Sequence, residues 1–242
     1  MEQTVLITGA SRGIGRETAL LLGKEYKRIA LMGFSHSESL NEVENELKNM
    51  GVDTISACGD IGNHSFVSDF IQRVLKEFGH IDILINNAGI SYVGLLTDMS
   101  IEDWNKVMST NLTSVFNTTR WVVPSMVHQK SGKIINISSM WGNVGASLEV
   151  AYSASKGGVN AFTKALAKEL APSGISVNAI AFGVIDTEMN GHLDEEEKAA
   201  LAEDIPIGRF STPNEAAGFI LHLLKTSDYM TGQVIGFDGG YV

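Results

Sequence analysis

"TVLITGASRGIG" (residues 4–15) carries two patterns in one short stretch. Its start, Thr4-Val5-Leu6-Ile7-Thr8, is β-branched or apolar throughout and uncharged, as in a strand buried on both faces. Gly9, Gly13 and Gly15 then fall where such a strand has to turn tightly into a helix. Glycine permits the turn and lets the backbone approach a ligand closely. The helix that follows offers free N–H groups and a positive dipole end, which suit a diphosphate. The spacing is G-x-x-x-G-x-G rather than the common dinucleotide pattern G-x-G-x-x-G. From these residues alone, a glycine-rich turn with no ligand reads equally well.

Working outward, the same rhythm repeats along the chain. Strand patterns occur at 4–9, 28–33, 53–58, 82–87, 133–138, 175–180 and 233–238, with helical patterns between them. One helix is predicted to start near Ser100, with Asp103 three residues on, a variant of the capping box. Another is predicted at Thr212, with Pro213 at its first position and Glu215 completing a box. Alternation of this kind predicts βαβ units. The expected fold is α/β: one doubly wound domain over 1–242, a seven-stranded, mainly parallel sheet with helices on both faces. No linker or repeat divides the chain, and the acidic run "DEEEK" (194–198) reads as a solvated helix face. In such sheets ligands sit outside the carboxyl ends of the strands, where the strand order reverses.

Composition narrows the function. The chain has 242 residues, 44% of them hydrophobic, enough for a large core. Its net charge of −10 argues against a nucleic-acid binder, which carries a basic field. No apolar run is long enough to span a bilayer, so no membrane partner is expected. The opening "MEQTVLITGA" carries an acid and leads straight into a strand pattern, unlike a signal peptide. Cys58 is the sole cysteine, so no internal disulfide can form and a cytoplasmic location is expected. No metal site is expected.

"YSASK" (152–156) sets a tyrosine and a lysine four apart, on one face of a helix. A free tyrosine, with a pKa of about 10, is a poor proton donor or acceptor at neutral pH. A nearby cation favours the phenolate and lowers that pKa. The stretch reads as an acid–base device or as an ordinary helical turn. Two further segments stand at predicted strand ends: "INNAG" (85–89) and "NISS" (136–139), with Asn111 in the long helical pattern between them.

Glycine loop, NNAG, Asn111, Ser139 and Tyr152-x-x-x-Lys156, in this order, resemble the short-chain dehydrogenase/reductase family. The resemblance covers the whole chain, including the tail "TGQVIGFDGG" (231–240). It implies a Rossmann fold and a catalytic set. Tyr152 would donate the proton in carbonyl reduction and act as base in alcohol oxidation. Lys156 would lower the tyrosine's pKa and bind the nicotinamide ribose. Ser139 would orient the carbonyl and stabilise charge on its oxygen. Asn111 would hold a water in a proton relay through Lys156. The plainer readings are a helix-satisfying Asn111 and a strand-capping Ser139. A binding protein that senses the dinucleotide without turnover is a further reading; the intact catalytic set argues against it.

The resemblance also places cofactor contacts at Gly9, Ser11, Arg12, Gly13, Ile14, Gly15, Asn87, Ala88, Gly89, Tyr152 and Lys156. Asp60 is expected at the adenine, with Ile61 packed against the base. Beyond the sixth strand, Gly183, Ile185 and Thr187 are expected around the nicotinamide. NAD enzymes of this kind put an acid after the second strand. Here "LMGFSHSES" (31–39) has none before Glu38. Arg12 is placed to reach a 2′-phosphate, helped by Ser35 and His36, so NADP(H) is expected over NAD(H). A solvated loop histidine is the plain reading of His36.

The substrate end departs from the pattern. Phe182 stands where the family usually has proline, predicting a freer start to the following loop. Residues 188–205 resemble a lid, whose closure excludes water. The whole chain is most similar to bacterial 3-oxoacyl-(acyl-carrier-protein) reductases. Those dock an acidic carrier through basic residues beside the site. Lys130 and Lys133 remain here, but Ser173 replaces an arginine, and the net charge opposes docking. Small-polyol dehydrogenases share the catalytic set. "MWGNVGASLEVAY" (140–152) resembles, less closely, reductases of the 5-aminopentanone group on modified elongation factor P. In it, Trp141 and Glu149 suit a cation, by cation–π attraction of about 0.5–2 kcal/mol and by charge. The plain reading has Glu149 capping the helix of Tyr152 and Trp141 packing on the lid. Ser139, Trp141, Glu149 and Tyr152 are therefore the expected substrate residues. The family implies a homotetramer built through 100–127, 151–171 and the last strand.

Overall fold

The structure, a computed structural model, describes residues 2–34, 36–191 and 193–242. Its strands are β1 (Thr4–Thr8), β2 (Arg28–Gly33), β3 (Asp53–Cys58), β4 (Ile83–Asn86), β5 (Gly132–Ser139), β6 (Ile175–Phe182) and β7 (Val234–Phe237). They form one sheet in the order β3-β2-β1-β4-β5-β6-β7. Every pairing is parallel, so the sheet is wholly rather than mainly parallel. The connecting helices are α1 (Gly13–Leu22), α2 (Ser37–Asn49), α3 (His64–Phe78), α4 (Ile101–Met108), α5 (Ser114–Gln129), α6 (Trp141–Val144), α7 (Val150–Leu170), α8 (Glu195–Asp204) and α9 (Pro213–Leu224).

The two-residue period of a strand sorts its side chains between two cores. On β1, Val5 and Ile7 face a cluster with Ala19 and Leu22 of α1, Leu40 and Leu47 of α2, and Ile220 of α9. Leu6 between them faces the other cluster, with Ile71 and Val74 of α3, Val122 of α5 and Leu170 of α7. All three β1 side chains are fully buried. Fully burying one such side chain stabilises the fold by about 1.5–3 kcal/mol. Both faces are therefore covered, as the uncharged β1 pattern predicts.

The caps are mostly those expected. Thr212 and Glu215 form the reciprocal box at α9, with Pro213 in the first turn. Ser100 accepts from the Asp103 N–H, and its hydroxyl returns a bond to the Asp103 carboxylate instead of the backbone. In the acidic run, Asp194 caps α8 with Glu197 completing a box, and the helix it starts has no buried residue.

Two boundaries differ in ways that shape the site. The single helix expected over 100–127 is α4, a π turn over Ser109–Thr113, and α5. The wider turn changes the direction of Asn111, and such turns recur at functional sites. β6 runs on to Phe182, whose carbonyl accepts from Met140 N–H. The buried Phe182 ring meets Phe237 edge-on at 5.6 Å, and Phe237 stacks on Phe219 at 4.9 Å. Packing thus holds the start of the loop where proline would have held it by a fixed φ.

Candidate active site

The strand order reverses between β1 and β4, and there the chain opens a cleft of about 830 Å³. Ties between side chains and backbone lock its floor. Thr8 Oγ1 accepts from the N–H groups of Asn87 (2.9 Å) and Ala88 (3.0 Å). Asn87 Nδ2 donates to the carbonyls of Thr8 and Gly9, both at 3.0 Å. Gly9 has φ +65°, and a Cβ there would lie 2.8 Å from Ala88 Cα. A Cβ on Gly15 would lie 2.1 Å from the Gly9 carbonyl oxygen. The glycines thus let β1, α1 and the NNAG segment meet.

The amino end of α1 faces this cleft. Arg12 stands at its cap position without a side-chain cap, and the first turn has no acid. Ser11, Arg12, Gly13 and Ile14 line the cleft, as do His36, Asp60, Ile61, Asn87, Ala88 and Gly89. Gly183, Ile185 and Thr187 close it from the β6 side. Gly15 supports the loop from behind rather than lining it. An open helix amino end beside close-approach glycines fits the diphosphate of a dinucleotide. Phe34, with no charge, follows directly on β2 and is 62% exposed. Asp60 is turned to its own loop and accepts from Gly62 N–H at 2.8 Å. Asn117 Nδ2 holds the carbonyls of Ile61 and Gly62, placing Ile61 at the cleft wall. Ser35 lies outside the described residues. Arg12 differs from expectation in one respect: its guanidinium is paired with Glu188.

The catalytic candidates converge at the carboxyl ends of β4 and β5. Ser139 ends β5, and Tyr152 and Lys156 stand on the first turns of α7. All three line the cleft. Lys156 is 3% exposed, donates to the Ile137 carbonyl at 2.8 Å, and lies 5.7 Å from the Tyr152 ring centroid. Burial pulls its pKa down to about 8. Burial pushes Tyr152 up to about 12; a hydrogen bond with Ser139 lowers it and the Glu149 charge raises it further. The lowering of Tyr152 expected from Lys156 is not seen here; the bond with Ser139 is the lowering influence, burial outweighs it, and the phenol keeps its proton at neutral pH. Asn111, 1% exposed, donates to the Ile90 carbonyl (2.9 Å) and Ser155 Oγ (3.0 Å) and accepts from Ile90 N–H (2.8 Å).

At the other end, Glu149 precedes α7 but makes no side-chain cap, contrary to its plain reading. Its carboxylate accepts from Ser91 Oγ at 2.7 Å and lines the cleft. Trp141 also lines it, as does the lid, and its ring meets Tyr241 edge-on at 5.7 Å. The lid region contributes Glu188, Met189, Asn190, Leu193 and Leu201; its His192 lies outside the described residues. Lys130 and Lys133 do not flank this site within the protomer. Lys133 is at the start of β5, about 20 Å from Ser139 at strand rise. Its ammonium is bound by the carbonyls of Leu224 and Thr226 and by Asp228.

Several supporting residues carried no role in the sequence reading. Thr8 sat unremarked in the glycine motif. Beneath the site, Asn86 Nδ2 donates to Asn136, Asn136 Nδ2 to Thr163, and Thr118 Oγ1 to Asn86. All four are buried, and they clamp α5 and α7 to β4 and β5. Ser91 and Ser155 complete the list. Only polar letters inside apolar strand and helix patterns signalled them.

The profile of the short chain dehydrogenase family matches residues 3–198. The chain is a short-chain dehydrogenase/reductase. Over nearly its whole length this oxidoreductase is similar to 3-oxoacyl-(acyl-carrier-protein) reductases. It shares 41% identity with that of Thermotoga maritima, covering 98% of this chain and 96% of the relative. With that of Staphylococcus aureus it shares 39%, covering 99% and 98%. Among solved structures, a short-chain type dehydrogenase/reductase from Mycobacterium marinum matches with a TM-score of 0.93 at 36% identity, covering 99% of this chain and 95% of that one. An actinorhodin polyketide ketoreductase variant solved with NADPH also matches at 0.93, with 34% identity over 99% and 97%. The family chemistry interconverts C=O and CH–OH with a nicotinamide dinucleotide, so a binding protein without turnover is set aside. Among the described residues, no helix is long and apolar enough to cross a membrane.

Proposed function

We propose that this short-chain dehydrogenase/reductase is an NADP(H)-dependent carbonyl reductase acting on 3-oxoacyl thioesters or similar ketones. The observation that carries the reading is the convergence of Ser139, Tyr152 and Lys156 at one mouth of the cleft. Bound cofactor supplies the hydride. Tyr152, protonated at neutral pH, gives its proton to the carbonyl oxygen while Ser139 holds that oxygen in place. A water held by Asn111 then returns a proton to Tyr152 through Lys156. Arg12 and an uncharged β2 end favour a 2′-phosphate, with His36 at the α2 cap alongside. The relatives' names support a carrier-bound substrate.

A second reading has a specific observation behind it: the uncapping carboxylate of Glu149, held by Ser91, faces the cleft beside Tyr152. A ketone that carries an amine, such as a 5-aminopentanone group, would meet a charge partner there. The misplaced Lys130 and Lys133 weaken carrier docking and favour this reading. NADPH oxidation with acetoacetyl thioesters, amino-ketones and ketoses separates the readings: turnover confined to ketoses would remove both. A cytoplasmic homotetramer is part of the proposal. It is supported by exposed Ile101 on α4, exposed Phe116 and Val127 on α5, and the edge strand β7.

A further inference from the structure

Ser155 sits inside "YSASK", between the two residues that mark the motif, and is fully buried. Its hydroxyl has one proton and spends it on the Tyr152 carbonyl, at 2.7 Å. It must therefore accept, and the donor is Asn111 Nδ2 at 3.0 Å. Ile90 takes the rest of that amide: its N–H donates to Oδ1, and its carbonyl accepts the other Nδ2 proton. Every polar atom of the Asn111 side chain is thus assigned, and only one of its three bonds reaches α7. That bond ends on the turn carrying Tyr152 and Lys156.

The π turn gives the bond its purpose. Asn111 lies at its centre, on a wider and less regular ring of backbone than an α-helix. Ile90, its other partner, belongs to the segment after β4 and not to a helix or strand. Gly89, beside it, is bare: a Cβ there would lie 3.4 Å from Lys156 Nζ and 3.5 Å from Asn111 Oδ1. Those two polar atoms flank the same open spot. How the π turn is set against Lys156 depends on how it is held to α7, and Asn111 reaches α7 through the Ser155 hydroxyl.

We propose that Ser155 is a positioning residue for proton return: its hydroxyl ties Asn111 to the α7 turn and so fixes how the π turn sits against Lys156. The proposal rests on the reading above that Asn111 serves the proton path to Tyr152. It assigns Ser155 no contact with substrate or cofactor; it is absent from the cleft lining.

The test uses Ser155→Ala, Ser155→Thr and Asn111→Ala in the full chain, with an activated ketone and NADPH. Ser155→Ala is expected to lower kcat about tenfold in dilute buffer, less than the roughly 100- to 10,000-fold that a positioned proton donor itself contributes. Small buffer acids at high concentration should restore most of it, and the solvent isotope effect on kcat should rise. The Kd for NADPH should stay within twofold or so, since no cofactor contact changes. Ser155→Thr, which keeps a hydroxyl able to bond the preceding turn, should return kcat to near the parent value. Asn111→Ala should show the same buffer dependence, more strongly. A buffer response in Asn111→Ala but not in Ser155→Ala overturns the role of Ser155 alone. No buffer response in either removes Asn111 from the proton path, and the proposal with it. A matched loss of kcat and NADPH affinity in Ser155→Ala, insensitive to buffer, makes the serine purely structural. If Ser155→Ala does not fold, Ser155→Cys, of similar volume with a weak donor, is read by the same criteria.

Discussion

At the dinucleotide end of the cleft, side chains bond to backbone and glycines set the spacing; at the substrate end, side chains meet side chains. Thr8, Gly9, Asn87 and Ala88 are joined by four hydrogen bonds involving main-chain atoms, and Gly15 leaves no room for a methyl group. Glu149, Ser91, Trp141 and Tyr241 instead meet through side chains drawn from separate segments. A backbone site tolerates few residue types at each position and so leaves a motif. A side-chain site is specified by which distant segments meet, and a linear pattern does not encode that. Lys156 stands where the two ends join.

Lys156→Met tests the junction and carries the largest effect. It should cut kcat by roughly 1,000-fold. It should also stabilise the fold near neutral pH. Folding lowers this lysine from 10.5 to about 8. Between those values the unfolded chain binds more protons, so stability rises with pH there, and the buried cation costs stability below about 8. Removing it gains at most about 3 kcal/mol, less the bond lost to the Ile137 carbonyl. Melting temperatures should therefore favour the variant near neutrality, and that gain should vanish above the ordinary lysine pKa. Tyr152 acts oppositely at high pH: raised to about 12, it costs stability as pH rises above 10. A variant no more stable at neutral pH would show that Lys156 is well compensated.

Gly15→Ala tests whether the dinucleotide end depends on backbone. The new Cβ would meet the Gly9 carbonyl and Asn87 Nδ2. Dinucleotide affinity should fall roughly 100-fold, about 3 kcal/mol, by calorimetric titration. An unchanged Kd would mean that the loop is not the binding element. Arg12→Ala should be smaller and selective, weakening NADPH about tenfold and NADH little. Equal weakening of both would remove the 2′-phosphate argument and leave Arg12 as the partner of Glu188. Glu149→Gln should be the smallest: a Michaelis constant about fivefold higher for amino-ketones and nearly unchanged for neutral ketones. Equal effects on both would make Glu149 structural.

The fold was legible because its strands are long apolar runs and its caps are local: Thr212 and Glu215 lie three residues apart and find each other without the rest of the chain. The cofactor wall was legible for the backbone reason. Three features were not. The π turn at Asn111 has no residue signature in 109–113. Phe182 read as a lost proline because its aromatic partners, Phe219 and Phe237, lie far along the chain. Lys133 read as a docking cation because its carbonyl partners, at the end of α9 and just beyond it, are a tertiary matter. The plain reading of Glu149 as a cap rested on position alone; it does stand at the cap position of α7, but its carboxylate is taken by Ser91.

The most direct measurement is the rate of NADPH oxidation by Tyr152→Phe with an activated ketone, alongside its NADPH affinity. The variant keeps the ring at the cleft mouth and removes the phenolic proton. The account predicts a fall in kcat of roughly 1,000-fold with affinity for NADPH nearly unchanged. Turnover near the parent rate would contradict it, because the proton would then come from another group.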